Sequence, residues 1–407
     1  MLRAPKKLCL LGSTGSVGES SLRVLRQRPT DFDLVGLACG RRVDLLVKQI
    51  KEFGVRRVSV ADEEAFKSLQ ALLKKESIQL DFVGFGSAGH AELVEATRPD
   101  VLMAAMSGTS GLPAVLRAIE IEVPVLGVAN KEILVMAGSF IRAALESSKT
   151  QLVPVDSEHS AIFQALRGNE LSSIRRIILT ASGGPFRSST LAELKRVRVE
   201  QALKHPNWSM GAKISIDSAT MMNKGLEYIE ALQLFPISRE QLEVVVHPQS
   251  IVHSIVEYWD HSMMAQMGIS DMQIPVAYAM GYPHRLPLKF SEALDLVSLG
   301  RLDFEAVDLN KFPCLALAME AERTGAAACV ALNAANEIVV ECFLRSQIEF
   351  LAIPQWVEAA LAEFSGAALS SLESAIELDQ EVKAWTRRQL GSELDLQIER
   401  GQNRNSL

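Results

Sequence analysis

The order of short apolar runs along the first 150 residues constrains the fold most. Leu8–Leu11, Asp33–Ala38, Arg57–Val60, Val101–Ala105 and Val123–Ala129 have strand character. The stretches between them carry helical spacing, as at Val43, Leu46, Val47 and Ile50. Strands that alternate with helices imply an α/β fold with a parallel, doubly wound sheet. Right-handed crossovers then put a ligand at the carboxyl ends of the strands.

The first such end carries Gly12-Ser-Thr-Gly15-Ser-Val-Gly18, followed by a helix. Glycines there permit a tight turn and close approach of a pyrophosphate, and the helix start offers free N–H groups. The spacing departs from G-x-G-x-x-G, and a plain strand–helix turn is the alternative. After the second run come Gly40, Arg41 and Arg42, with no carboxylate to accept from a ribose 2′-hydroxyl. Two guanidiniums suit a 2′-phosphate, so NADP(H) is favoured over NAD; two solvated arginines are the alternative.

At 407 residues the chain is long enough for two or three domains. We read a dinucleotide domain over 1–150, an α+β, site-bearing domain over 151–287, a linker over 288–311 and a helical bundle over 312–400. The middle segment holds six of the seven histidines, between His159 and His284. In the last segment Pro313–Arg323, Ala326–Leu344, Pro354–Glu363 and Ser371–Leu390 have helical texture, and Pro313 and Pro354 suit first-turn positions. Residues 401–407 read as a frayed tail.

The net charge of −7 argues against a nucleic-acid or anionic-membrane footprint. The five cysteines are scattered, which suggests neither a disulfide framework nor a thiolate zinc site. No uncharged apolar run is long enough to span a bilayer, and no cleavable leader is evident. A cytoplasmic protein is expected.

Several polar constellations could carry chemistry. Asp156, Ser157 and Glu158 follow a strand and open a helix; such residues share a hard cation or, more commonly, cap the helix. Asn223 and Glu227 are i,i+4 and Lys224 and Glu227 are i,i+3, so they share a helix face. Carboxylates from both stretches would suit Mg²⁺ or Mn²⁺. Ala181-Ser182-Gly-Gly184 follows a strand and could wrap a phosphate. His205-Pro-Asn-Trp208-Ser-Met210-Gly211 has the texture of a mobile loop with an aromatic tip, although a lone Trp is more commonly a buried anchor.

Taken together, these segments resemble the 1-deoxy-D-xylulose 5-phosphate reductoisomerase family of the non-mevalonate isoprenoid pathway. The resemblance rests on Gly12–Gly18, Ala129-Asn-Lys-Glu132, Pro154–His159, Ala181–Phe186, His205–Gly211, Ile216–Glu230, His247-Pro-Gln-Ser250 and Ala331-Leu-Asn-Ala-Ala-Asn-Glu337. It implies a Rossmann-type NADPH domain, a catalytic domain and a C-terminal four-helix bundle, assembled as a homodimer. It further implies Asp156, Glu158 and Glu227 as ligands of Mg²⁺, Mn²⁺ or Co²⁺. Ser182, His205, Ser218, Asn223 and Lys224 would hold the substrate phosphate. Lys131 and Ser157 would contact sugar-derived oxygens, with Lys131 and His205 among the catalytic groups. Thr14, Gly15, Ser16 and Val17 would touch the cofactor pyrophosphate. Gly40, Arg41, Arg42, Asn130, Glu132 and Gly211 would also bind cofactor, and Trp208 and Met210 would belong to a closing flap. The family often has Gly-Lys-Asn where this chain has Gly40-Arg41-Arg42, and 286–310 matches only loosely.

Two rival readings have distinct marks. A semialdehyde dehydrogenase needs a nucleophilic cysteine in its catalytic part, but none lies between Cys39 and Cys314. A cofactor-binding sensor without activity would lack a metal or phosphate residue, and none is missing.

Overall fold

Seven parallel strands form the larger sheet of the computed structural model, which describes residues 4–208, 210–290 and 293–404. They are β1 (Lys6–Leu11), β2 (Phe32–Ala38), β3 (Arg57–Val60), β4 (Phe82–Phe85), β5 (Val101–Ala104), β6 (Val125–Val128) and β7 (Gln151–Pro154). Their order is β4-β3-β2-β1-β5-β6-β7. Every residue of β5 and β6 is buried, as expected of strands covered on both faces. The direction of winding reverses between β1 and β5, which opens a crevice at their carboxyl ends.

The remaining strands are β8 (Ile174–Ala181), β9 (Leu242–Val246), β10 (Val252–Tyr258), β11 (Met263–Met267) and β12 (Glu305–Ala306). β10 pairs antiparallel with β8 and β11, and β12 pairs antiparallel with β9.

The chain divides into two compact units, each discontinuous in sequence. The first comprises the chain up to Leu134, Gly138–Thr180 and Ile251–Leu302; the second comprises Val135–Ala137, Ala181–Ser250 and the chain from Asp303 onward. These units differ from the four linear segments drawn from the sequence, for a physical reason. After Ser250 the chain returns to the first unit, where β10 pairs with β8. The helix Gln273–Gly281 then joins its core through Val276, Ala279 and Met280, all fully buried. The change of texture near residue 151 marks where polar loops begin, not where a core ends. The segment read as a linker carries a short helix, Leu296–Leu299, and β12.

The second unit is mainly helical. Pro313–Thr324, Ala326–Leu344, Ala352–Phe364 and Leu372–Arg404 match the four helices expected at the C-terminus. Pro313 sits in the first turn, where its missing N–H costs nothing. The helix Ala326–Leu344 is long and apolar enough to cross a membrane by length and composition, but 78% of that window is buried inside the protein. It is a core helix, whose Leu332, Val339 and Phe343 share one apolar cluster with Ile353 and Val357. The last helix continues through Arg404, beyond the expected start of a frayed tail; residues 405–407 lie outside the described residues.

Candidate active site

In the first unit the site is built on the carboxyl ends of β1, β5, β6 and β7. Gly12 leaves β1 with φ +85°, and a Cβ there would collide with the Ala105 carbonyl oxygen just beyond β5. A Cβ on Gly18 would collide with the Gly12 carbonyl oxygen. Only glycine fits either position, so the turn packs tightly between strand and helix. Gly15 is the residue before the helix Ser16–Gln27; Ser16 is exposed, Val17 half-buried and Thr14 buried. The helix start therefore presents N–H groups to the crevice. Beneath the turn lies Gln49, which sequence reasoning missed. Its amide nitrogen, Nε2, donates to the Ser13 carbonyl at 3.1 Å and to Glu19 at 2.7 Å, while its oxygen accepts from the Ser13 hydroxyl at 2.7 Å. One buried polar residue in an amphipathic helix gives no sequence signal.

After β2, Gly40, Arg41 and Arg42 are exposed. Arg41 is not idle: its Nε donates to Asp62 Oδ2 at 2.9 Å. That pairing raises the guanidinium pKa; the Asp62 pKa is lowered first by the Ala65 N–H, from which its carboxylate accepts at a helix start, and then by Arg41.

After β6, Asn130 caps the helix Lys131–Glu146: its Oδ1 accepts from the Ile133 N–H at 3.2 Å, and its Nδ2 donates to the Gly108 carbonyl at 2.6 Å. The cap fixes Lys131 and Glu132, both buried. After β7, Asp156 precedes the helix Ser157–Leu166. Asp156 makes no side-chain cap bond to that helix, so the capping alternative does not describe it. Its Oδ2 instead meets Lys131 Nζ at 3.0 Å, and its Oδ1 lies 3.3 Å from His159 Nδ1. The Ser157 hydroxyl donates to Glu158 at 2.5 Å. Asp156 and Glu158 offer carboxylate oxygens within 4.8 Å of each other. Two hard oxygen donors at that separation fit an octahedral dication.

In the second unit a different cluster forms. Gly183 and Gly184 turn with positive φ, and a Cβ on Gly184 would lie 2.5 Å from the Ser218 carbonyl oxygen. This close approach brings the Ser182 loop against Ser218, near the end of the helix Ala212–Ala219. His205 Nε2 lies 3.0 Å from Ser182 Oγ. Its Nδ1 accepts from the backbone N–H groups of Asn207 and Trp208, at 3.1 and 2.9 Å. With Nδ1 an acceptor twice over, the proton resides on Nε2, which donates to the serine. Burial pushes the His205 pKa down to about 4, so the ring is neutral near pH 7.

Asn223 and Lys224 both donate to the Glu227 carboxylate on the helix Met222–Leu234. Lys224 and Glu227 are almost wholly buried. Trp208 and Met210 are half-buried, and Gly211 is exposed at the start of Ala212–Ala219. Asn207, also missed from sequence, ties this loop down by donating to the Pro248 carbonyl and the Ser250 hydroxyl at 2.7 and 2.9 Å.

Three family models match the chain in series. One described as 1-deoxy-D-xylulose 5-phosphate reductoisomerase matches 8–138; that family's C-terminal domain matches 152–235; and the DXP reductoisomerase C-terminal domain matches 267–385. The chain belongs to the 1-deoxy-D-xylulose 5-phosphate reductoisomerase family. The reductoisomerase of Geobacillus sp. (strain WCH70) is 45% identical over 382 residues, 94% of this chain and 99% of that one. That of Bacillus subtilis (strain 168) is 46% identical over 93% of this chain and 98% of its own. Among solved structures, the reductoisomerase from Zymomonas mobilis in complex with NADPH superposes with a TM-score of 0.86 at 41% identity, covering 95% of this chain and 99% of that one. A DOX-P reductoisomerase in complex with NADPH, fosmidomycin and magnesium gives 0.89 at 37%, covering 97% and 99%. Membership in the reductoisomerase family removes both rival readings of the sequence.

Proposed function

We propose that this chain performs the reaction of its family, with the division of labour that follows. The reaction is the NADPH-dependent rearrangement and reduction of 1-deoxy-D-xylulose 5-phosphate to 2-C-methyl-D-erythritol 4-phosphate. Asp156, Glu158 and Glu227 supply oxygen ligands to a divalent metal, magnesium being suited to an all-oxygen set. Ser182, His205, Ser218, Asn223 and Lys224 hold the phosphate. Lys131 and Ser157 contact the sugar-derived oxygens. Thr14, Gly15, Ser16 and Val17 meet the pyrophosphate; Gly40, Arg41 and Arg42 meet the 2′-phosphate; Asn130, Glu132 and Gly211 line the rest of the cofactor site. Trp208 and Met210 close over the substrate. The chain works as a cytoplasmic homodimer, and residues 151–287 are its catalytic segment.

The observation that carries this reading is the ion pair between Lys131 and Asp156. It joins the ends of β6 and β7 on the same sheet edge that carries the glycine turn. Asp156, Glu158 and the dinucleotide-type glycines therefore share one end of the parallel sheet. When bound, a divalent cation polarises carbonyl and hydroxyl oxygens, and NADPH supplies hydride. The protein groups do the rest. Lys131 sets a positive charge beside the first acid, and Lys224 sets one beside Glu227, so neither acid is buried alone. The His205 Nε2–H and the Ser182 hydroxyl are neutral groups that can donate to phosphate oxygens. Gripping the phosphate, remote from the reacting carbons, supplies binding energy for closing the loop at Trp208.

The test is to mix the protein with 1-deoxy-D-xylulose 5-phosphate, NADPH and Mg²⁺, follow the loss of NADPH absorbance and identify the product by NMR. Glu227→Gln is expected to lower kcat about a hundredfold or more while the NADPH dissociation constant holds within about twofold. Normal turnover in that variant would remove Glu227 from the metal set.

A further inference from the structure

The motif Ala331-Leu-Asn-Ala-Ala-Asn-Glu337 has no part in the division of labour above, yet its placement is unusual. It lies in the middle of the helix Ala326–Leu344, where Leu332, Ala334 and Ala335 are fully buried. Asn333 and Asn336 are fully buried among them. An amide in an apolar helix core is costly unless its hydrogen bonds are made. Asn336 Nδ2 donates to Asp217 Oδ1 at 2.8 Å, a buried bond spanning 119 residues of sequence. Asp217 is itself 1% exposed. Its other oxygen accepts from Lys213, one helical turn back, at 2.9 Å.

Asp217 immediately precedes Ser218 on the short helix Ala212–Ala219. Successive residues point about 100° apart around a helix, so the two side chains leave it in different directions. Asp217 is fastened to the core helix, while the Ser218 carbonyl meets the Gly184 turn that carries Ser182. The same short helix follows directly on Met210 and Gly211. A buried charge-assisted bond with both partners in rigid elements fixes rotation about the helix axis as well as position.

We propose that Asn336 and Asp217 are positioning residues for phosphate recognition, holding the helix Ala212–Ala219 at the rotation that presents Ser218 to the substrate phosphate. The inference rests on the phosphate role proposed for Ser218. It gives the Asn336 amide a task that packing alone does not: a leucine would fill the same space in an apolar helix. Asn336 reaches neither substrate nor cofactor in this reading; it acts through Asp217.

The test compares Asn336→Leu, Asp217→Asn and Ser218→Ala in the full-length protein. Four quantities are read: KM for 1-deoxy-D-xylulose 5-phosphate, Ki for inorganic phosphate as a competitor, the NADPH dissociation constant and Tm. Asn336→Leu is expected to raise KM and phosphate Ki together by about tenfold, leaving the NADPH constant within about twofold. Asp217→Asn keeps an acceptor for the Asn336 amide but loses the attraction of Lys213, so its rise in both is smaller. Should Asn336→Leu fail to fold, Asp217→Asn decides alone. A variant whose Tm falls while KM and phosphate Ki stay at the parent values assigns the pair to stability only and overturns the proposal. Ser218→Ala separates the two layers. If it moves neither KM nor phosphate Ki, the phosphate role of Ser218 is wrong; if it moves both while the other two variants do not, the positioning role is wrong.

Discussion

Arg41 shows how one residue serves two masters. In the proposed cofactor site it meets a 2′-phosphate, yet in the structure its Nε is already paired with Asp62 at 2.9 Å. The pair is exposed, and such pairs are worth about 0–1 kcal/mol. Asp62 also caps the helix Glu63–Lys75, a job that asparagine does equally well. Asp62→Asn therefore frees the guanidinium without loosening the helix. The expected outcome is a KM for NADPH lowered by up to about fivefold, with the KM for NADH unchanged. An unchanged NADPH KM would show that Arg41 does not read the phosphate. At this scale the sequence was most informative where chemistry forces residue identity. Gly12 and Gly18 are legible because no other residue fits their backbone. Asp156 and Glu158 are legible as acids at a helix start, and Glu227 as an acid that shares a helix face with Asn223 and Lys224. Gln49 and Asn207 were not legible: each is a single amide whose partners are backbone atoms or residues far along the chain.

Among elements, the loop from His205 to Trp208 is held partly by a side chain. Two of its N–H groups, those of Asn207 and Trp208, bond to the imidazole Nδ1 rather than to backbone. The imidazole thus acts as an internal cap for the loop, and at the same time aims Nε2 at Ser182. His205→Ala removes both functions. It is expected to raise the substrate KM about tenfold or more and to speed limited proteolysis between Leu203 and Trp208 severalfold. His205→Asn, with a shorter acceptor, is expected to fall between alanine and the parent in both assays. A proteolysis rate that does not change would leave the ring with a ligand-contact role only. Element boundaries were legible from sequence wherever period and composition agreed. β3 matches its expected span residue for residue, and each of the four C-terminal helices falls on an expected segment. The strands β4 and β11 were not. Phe82-Val-Gly-Phe85 is short and broken by glycine; Met263-Met-Ala-Gln-Met267 has no β-branched residue and takes its conformation from pairing with β10.

Stability of the whole molecule is where the desolvated histidines matter. His90 is fully buried against Ser59, its Nδ1 2.8 Å from the Ser59 hydroxyl, and burial pushes its pKa from 6.5 down to about 4. His205 shifts in the same direction for the same reason. Between about pH 6.5 and 4 the unfolded chain therefore binds protons that the native protein does not. Stability must rise with pH across that window and fall as the solution is acidified through it, with no such loss above pH 6.5. A shift of this size corresponds to about 3 kcal/mol for His90 once pH drops below its native value. Carboxylates act in a different window. Arg176 and Arg175 hold the Glu257 pKa down to about 2, so its contribution is complete above 4.5 and is lost only as pH falls from there toward 2. A Tm titration from about pH 7.5 to 5 thus isolates the histidines from the carboxylates. His90→Asn is expected to lower Tm at pH 7.5 through lost packing, yet to flatten the decline between pH 6.5 and 5 relative to the parent. A decline that keeps the parent's slope in His90→Asn would mean that His90 charges as readily in the native core as in the unfolded chain.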